Sequence, residues 1–537
     1  RGRRGPGRHL GDLVARTSPG QACSLPVDER HPGPQQHSLT RSHMTAPTFD
    51  ERCGIHTPQR ELALQQALQK MREHALREVR FVWCDIHGTT RSKSLMPDAV
   101  EGALRNGVGM VSTLMLKDTS DRTAFKVFEP GGTDGLHGFG QGNNVTLLAD
   151  NIELHTLPWA PEVGWVQCQA WFQDGTPVAW DSRRVLQAAL APLHAKGWGM
   201  QCGLEVEFHI YRLRGPGAHT DPQQAAWPGP PPEVDLIHPG CALLSEAHSD
   251  TAHAALRIVQ DTAQGMGLPL LSLEIELGPS QVEAVFAPTD ALRAADNMVR
   301  FRNGVRQALA RAGYWASFMC RPPFEHIMSS GWHLHQSLID LESGANLFVR
   351  DAAASGSTAQ DAEHTLSALG AQYLAGLLDH AAGALVFCTP TVNGYGRFRP
   401  LALAPQAAVW GRDNRGAMLR VIGQAQDSGT RIENRIGEPA ANPYLYMASQ
   451  IHAGLDGIAR GLKPPPATES PYGQGNTLLP TDLGQALAAL QADTHLVNAF
   501  GPGFVALLSG IKQLEWQRFQ QAEDKMAFQR NEYFSRI

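Results

Sequence analysis

Between Gly203 and Phe208 the chain alternates without a break: Leu204, Val206 and Phe208 are apolar, while Glu205 and Glu207 are acidic. A β-strand sends successive side chains to opposite faces. As a strand, the segment turns one apolar face away from two glutamates that project together, about two residues apart. On a solvated face such a pair is unremarkable. With apolar neighbours behind it, it reads as a core strand whose acids look into a cleft.

Other segments repeat the device. His333-Leu-His335-Gln-Ser337 places two imidazoles and a hydroxyl on one strand face. Arg431-Ile-Glu433-Asn-Arg435 places cation, anion and cation on one face, and Glu276-Leu-Gly-Pro-Ser-Gln281-Val-Glu283 adds two acids across a Gly-Pro turn. Each alone has a plain structural reading, whether a core histidine pair or a salt-bridged surface strand. Collectively, five glutamates and one histidine can bind two hard divalent cations. Oxygen donors suit Mg²⁺ or Mn²⁺, and Mn²⁺ especially tolerates an imidazole. Arg397, Arg415 and Arg420 accompany them; they make sense if the metals hold a polyphosphate whose transferring phosphoryl group the guanidinium forks clamp. The chemistry indicated is phosphoryl transfer to an acidic acceptor.

Composition narrows the class. Of 537 residues, 42% are apolar and 18% charged, which suits a soluble globular protein with a sizeable core. A net charge of −6 argues against a nucleic-acid partner. Eight scattered cysteines without a C-x-x-C pair exclude a zinc ribbon, and no apolar run approaches the ~20 residues that cross a bilayer. A cytoplasmic protein without a membrane partner is expected. Residues 1–57 are expected to be a disordered leader, the first 43 most plainly, with seven arginines among Gly, Pro, Ser, Gln and His; Met44 is the expected native start. Residues 58–179 read as a helix (Pro58–Glu78) and a small β domain with strands at 79–88, 89–96, 165–172 and 177–180. Residues 180–537 read as alternating helices and strands, with helices over 182–196, 251–266, 287–312 and 365–385 and surface loops over 216–232 and 341–360.

These motifs, in this order, resemble the glutamine synthetase family over roughly residues 79 to 537. Besides the segments above, the resemblance includes Ser329-Ser-Gly-Trp-His-Leu-His-Gln-Ser-Leu338, Asn393–Arg397, Asn414–Arg420 and Pro439-Ala-Ala-Asn442-Pro-Tyr444. It implies an α+β fold, with a small N-terminal β-grasp domain followed by a large catalytic α/β domain. It also implies a homo-oligomeric ring, a dodecamer, whose sites lie between subunits. Carried over, Glu207, Glu276 and Glu283 would hold one metal, and Glu205, His333 and Glu433 the other. His335, Ser337, Arg420 and Arg431 would contact ATP, Arg397 and Arg435 would bind the carboxylate-bearing substrate, and Arg415 would neutralise the phosphoryl group in flight. Glutamate, ATP and ammonia or an organic amine would be the substrates, with γ-glutamyl phosphate between the two steps.

Departures from the family bear on the acceptor. Leu403 stands where ammonia-using members carry a flap glutamate, and an apolar group cannot accept a proton. It can pack against an alkyl or aryl group. Asn393-Gly394-Tyr395-Gly396-Arg397 lacks the usual hydroxyl and lysine, and Ser329-Ser330-Gly331-Trp332 replaces Gly-Ser-Gly-Met, a change expected to reshape the amino-acid pocket. Asp118 is the candidate for the ammonium-binding aspartate. Tyr472, near the register of an adenylylated tyrosine, keeps none of its flanking residues. The expectation is an ATP-dependent ligase making a γ-glutamyl amide of an organic amine. The alternatives are a glutamine synthetase using ammonia, or a catalytically silent relative with a structural or regulatory role.

Overall fold

The structure, a computed structural model, describes residues 46–215, 221–398 and 404–537. Most of the expected leader lies outside these. Its last residues are not leader, however: a short helix at Phe49–Arg52 buries Phe49 with Leu148 and Trp171, because one aromatic side chain is anchor enough where a β-sheet offers it a face. From Pro47 onward the chain forms one compact unit.

The N-terminal portion contains β1 (Glu78–Cys84), β2 (Thr90–Leu95), β3 (Val108–Val111), β4 (Asn144–Leu148), β5 (His155–Leu157), β6 (Ala160–Gln167) and β7 (Gln169–Trp171). A four-stranded sheet has the order β2-β1-β6-β5, with the central pair β1–β6 parallel and its flanks antiparallel, the β-grasp arrangement. β3, β4 and β7 form a second, three-stranded sheet. Residues 177–180 form only an isolated bridge from Pro177 to Trp171, not a strand. The β1–β2 turn is held by Asp85, whose carboxylate accepts the backbone N–H groups of His87 and Thr89 at 3.0 Å each. At Gly88 (φ +76°) a Cβ would stand 2.2 Å from the Arg302 guanidinium and 3.2 Å from Asn442 Cα. Arg302 donates to the carbonyls of Gly88, Pro439 and Ala441 at 2.7–3.0 Å, tying the hairpin to the larger portion.

The larger portion is built on nine strands: β8 (Trp198–Leu213), β9 (Val234–Leu236), β10 (Leu270–Ile275), β11 (Gln281–Asp290), β12 (Tyr314–Ser317), β13 (Trp332–Asp340), β14 (Trp410–Arg412), β15 (Leu419–Ile422) and β16 (Arg431–Gly437). Their order is β10-β11-β8-β13-β16-β15-β14, with β9 and β12 on the far end of the long β8. Leu204, Val206, Phe208, Val282, Ala284 and Leu334 are buried, and helices Ser182–His194 and Ala291–Arg311 pack on β8. Phe208 stacks on Phe318 (4.8 Å) and meets Phe301 edge-on. Two expected helices need correction. β11 continues to Asp290, which caps the next helix by accepting Arg293 N–H. The run 365–385 is two helices, Ala368–Asp379 and Ala381–Cys388, broken at His380.

Candidate active site

Register assembles the site. Across β11 and β8, Glu283 lies opposite Glu207; across β13 and β8, His333 lies opposite Glu205. Across β13 and β16, His335 lies opposite Glu433, and Arg420 of β15 faces Glu433 from the other side. Directly opposed residues share a face with Cβ atoms ~4.5–5.5 Å apart. Four carboxylates and two imidazoles therefore form one row, and Glu276 joins it from the turn after β10.

His333 is the hub. Its Nδ1 is 3.3 Å from Glu205 Oε2, 3.7 Å from Glu433 Oε1 and 3.8 Å from Glu283 Oε1, and its Nε2 is 3.8 Å from Glu207 Oε1. Glu205 also reaches His335 Nε2 at 3.0 Å, and His335 Nδ1 accepts Arg431 Nε–H at 3.0 Å. Glu207 accepts from Gly331 N at 2.8 Å and Gln281 Nε2 at 3.0 Å. Gln281 was not expected as a site residue, although its place after the Gly-Pro-Ser turn puts it beside the acids. Its amide also bonds the Ser329 carbonyl and Ser330 Oγ, fixing the loop before β13.

The acids divide by charge state. Burial opposes ionisation of Glu205, but hydrogen bonds from His333 and His335 outweigh it and lower its pKa. Glu433, fully buried, is likewise held low against its burial by the charges of His333 and Arg435. On the other side, burial and then Glu276 push Glu207 up to about 7. Burial and then Glu207 and Glu205 push Glu283 up to about 10. Burial also raises Glu276 and lowers His333 to about 4. Glu283 Oε1 and His333 Nε2 are buried without a hydrogen-bond partner. Mutually repelling carboxylates and orphaned donor atoms around one space fit divalent cations, and the oxygen-rich set fits hard ones.

The arginines surround Glu433. Arg420 Nη1 donates to its Oε2 at 3.0 Å and is braced by Asp413, while Arg435 Nη1 donates to Oε1. Arg435 Nε also bonds the carbonyl of Arg415, whose own residue lies on an exposed turn. Arg397 is buried, donating to the Arg435 carbonyl at 2.8 Å and the Gly437 carbonyl at 3.4 Å. It occupies the space over Gly331, where a Cβ would be 2.4 Å from its Nη2.

A cleft of about 360 Å³ opens beside Glu205, lined by His335, Ser337 and Arg431. Its apolar wall of Leu271, Val285, Phe286 and Pro288 comes from β10 and β11. Three of the four expected nucleotide-binding residues thus line one cleft; Arg420 stands outside it, on Glu433.

Three expectations fall elsewhere. Asp118 is not in the row: its carboxylate is fully buried, accepts Ser120 and Arg122 N–H, and pairs with Arg518 at 2.9 Å. Of the Ser329–Trp332 segment, Trp332 faces away from the acid row. Strand alternation turns it to the face opposite His333, where it is buried edge-on against Tyr446. Leu403 lies outside the described residues.

A sheet face that gathers carboxylates, imidazoles and guanidiniums beside a cleft has the donor set that phosphoryl transfer uses. The sequence matches the family described as "Glutamine synthetase, catalytic domain" over residues 179–531. A gamma-glutamylanilide synthase of Acinetobacter sp is 34% identical over 483 residues, 88% of this chain and 94% of the relative. A glutamine synthetase of Methanosarcina mazei is 28% identical over 468 residues, 85% of this chain and 94% of the relative. A solved structure described as "GmaS/ADP complex-Conformation 1" superposes with a TM-score of 0.68 at 25% identity, over 86% of this chain and 97% of that one. The chain belongs to the glutamine synthetase family of ATP-dependent carbon–nitrogen ligases, which use divalent metal. No single helix among the described residues is long and apolar enough to cross a membrane.

Proposed function

We propose that this protein joins the γ-carboxylate of glutamate to an organic amine, with ATP cleaved to ADP and phosphate. The observation that carries the reading is the register, which sets Glu283 and Glu207, Glu205 and His333, and His335 and Glu433 side by side, with Glu205 and His335 lining one cleft. Glu207, Glu276 and Glu283 would hold one Mg²⁺ or Mn²⁺, and Glu205, His333 and Glu433 a second. When bound, such ions polarise phosphoryl oxygens and offset the charge that develops in transfer. His335, Ser337 and Arg431 position ATP, with the apolar wall against the base. Arg420 acts through Glu433 by fixing its carboxylate. Arg397 and Arg435 engage the carboxylate-bearing substrate, and Arg415, exposed on its turn, neutralises the phosphoryl group.

The substrate's γ-carboxylate oxygen attacks the terminal phosphorus of ATP and the bond to ADP breaks. The amine nitrogen then attacks the γ-carbonyl carbon, the carbon–oxygen bond to phosphate breaks, and the proton the nitrogen sheds passes to the departing phosphate. Arginines fixed in advance stabilise both charge shifts without reorganising. Asp118, locked to Arg518, has no part in this within one chain. A cytoplasmic homo-oligomeric ring is the proposed assembly.

Leu403 in place of an acid, and similarity to a gamma-glutamylanilide synthase, both support an acceptor with an alkyl or aryl group. The test is a panel of ammonia, alkylamines, polyamines and arylamines with glutamate and ATP, read by phosphate release and product mass. An organic amine is expected to give the highest kcat/KM; ammonia exceeding all of them would defeat the amine reading.

A further inference from the structure

Away from the acid row, four side chains from three helical segments converge. His380 sits at the break between helices Ala368–Asp379 and Ala381–Cys388, Asp456 on helix Pro443–Arg460, and His495 on helix Thr494–Phe500, which Asp493 caps. His380 Nε2 is 2.9 Å from Asp456 Oδ2, and His495 Nδ1 is 3.3 Å from Asp456 Oδ1. One donor atom from each of His380, Asp456 and His495 lies within 4.8 Å of the others.

The second nitrogen of each ring is already engaged. His380 Nδ1 is 2.7 Å from Asp493 Oδ2, and His495 Nε2 is 3.2 Å from the His452 carbonyl. A carboxylate or backbone carbonyl behind an imidazole is the arrangement that orients histidines toward a metal. Here it directs the two remaining nitrogens at the same carboxylate. Arg460 Nη1, 2.8 Å from Asp456 Oδ2, braces that oxygen and leaves Oδ1 toward His495. Donors ~2.0–2.1 Å from a tetrahedral ion stand about 3.3 Å apart, so shifts of about an ångström complete the geometry. The His380 and Asp456 side chains are 7% and 12% exposed, whereas His495 is 37% exposed, which opens one side to a water ligand.

We propose that His380, Asp456 and His495 form a second kind of metal site, for Zn²⁺ or a similar divalent transition ion, that fastens the three helical segments together. Two imidazoles and one carboxylate favour such an ion, whereas the acid row favours Mg²⁺ or Mn²⁺.

The test uses the full chain, stripped with a chelator, refilled with excess Mg²⁺ to occupy the acid row, and titrated with Co²⁺. One Co²⁺ per chain with intense tetrahedral visible bands, displaced by Zn²⁺ but not by Mg²⁺, is expected. His495→Ala should abolish those bands while phosphate-release activity is unchanged. Asp493→Asn, which keeps the helix cap, should weaken binding by about 10- to 100-fold. Zn²⁺ should raise the Tm of the wild type and leave that of His495→Ala unmoved. Cobalt fully displaced by Mg²⁺, or bands undiminished in both variants, would overturn the site.

Discussion

Gly331 is where a single methyl group tests the arrangement of the arginines. In Gly331→Ala the new Cβ would stand 2.4 Å from Arg397 Nη2, 2.9 Å from its Cζ and 3.2 Å from His333 Nε2. Favourable carbon contacts begin near ~3.5 Å, so the guanidinium must retreat by about an ångström. The obstacle is the far end of a long side chain, so the fold survives. What is lost are the bonds from Arg397 to the carbonyls of Arg435 and Gly437. A hydrogen bond from a charged donor contributes ~1.5–3 kcal/mol. If the loss of the shorter bond, the 2.8 Å one to the Arg435 carbonyl, is felt in the transition state, kcat/KM for the amino-acid substrate falls by roughly 10- to 150-fold. Steady-state kinetics with varied glutamate would measure it, alongside Arg397→Met and the double variant. Because both single changes act through the same guanidinium, their effects should be strongly non-additive. Wild-type kinetics in Gly331→Ala, or additive losses in the double variant, would refute the reasoning.

Glu433→Ala leaves Arg420 and Arg435 facing a buried, uncharged gap, so stability should fall by ~3–5 kcal/mol in urea unfolding. Phosphate release should vanish too, whereas a silent scaffold would keep its cellular role. Glu438, buried against Thr391, is pushed up by burial to about 8 from an ordinary value of 4.5. Between those values the folded state holds a proton that the unfolded chain has released, so stability falls as pH rises from about 4.5 through about 8. Glu438→Gln, measured by urea unfolding at pH 5, 7 and 9, should flatten this slope and be relatively most stable at pH 9. Arg302→Met removes three hydrogen bonds to backbone carbonyls and should release the β1–β2 hairpin, seen as faster amide exchange at Asp85–Thr89.

Strand alternation is a local property, and that is why the acid-bearing strands could be read from the residues alone. Glu205, Glu207, His333, His335 and Glu433 sit on strands whose alternation was visible in five or six residues each. The same period assigns Trp332 to the core face, opposite His333. The comparison with the family's loop sequence took Ser329–Trp332 as one unit, and the strand separates Trp332 from the acid-row face. Helix ends were harder. Ala287-Pro288-Thr289-Asp290 leads straight into the following helix, but a proline and a capping aspartate mark it as the end of β11. In 365–385 the apolar run gives no sign of a break, because what stops the helix is His380 turning to Asp456 and Asp493, both more than seventy residues away.

Register was not legible at all. Nothing in the spacing of two distant strands says whether Glu207 will face Glu283 or a residue two positions away. A slip of two residues keeps every side chain on its face, yet it would part Glu205 from His333: in one direction Glu207 would face His333 and Glu205 would face His335, and in the other neither acid would face an imidazole. The β8–β11 pairing also shifts register between Phe286 and Thr289 and the β13–β16 pairing between Trp332 and Leu334, irregularities that neither strand's alternation announces. The cleft wall has the same origin, since Leu271, Phe286 and Arg431 meet only through the order of the strands. Each strand's sequence thus supplies a chemical face, while the chemistry of the row belongs to the pairing, so a change that shifts β8 against β13 should end activity with every site residue still present.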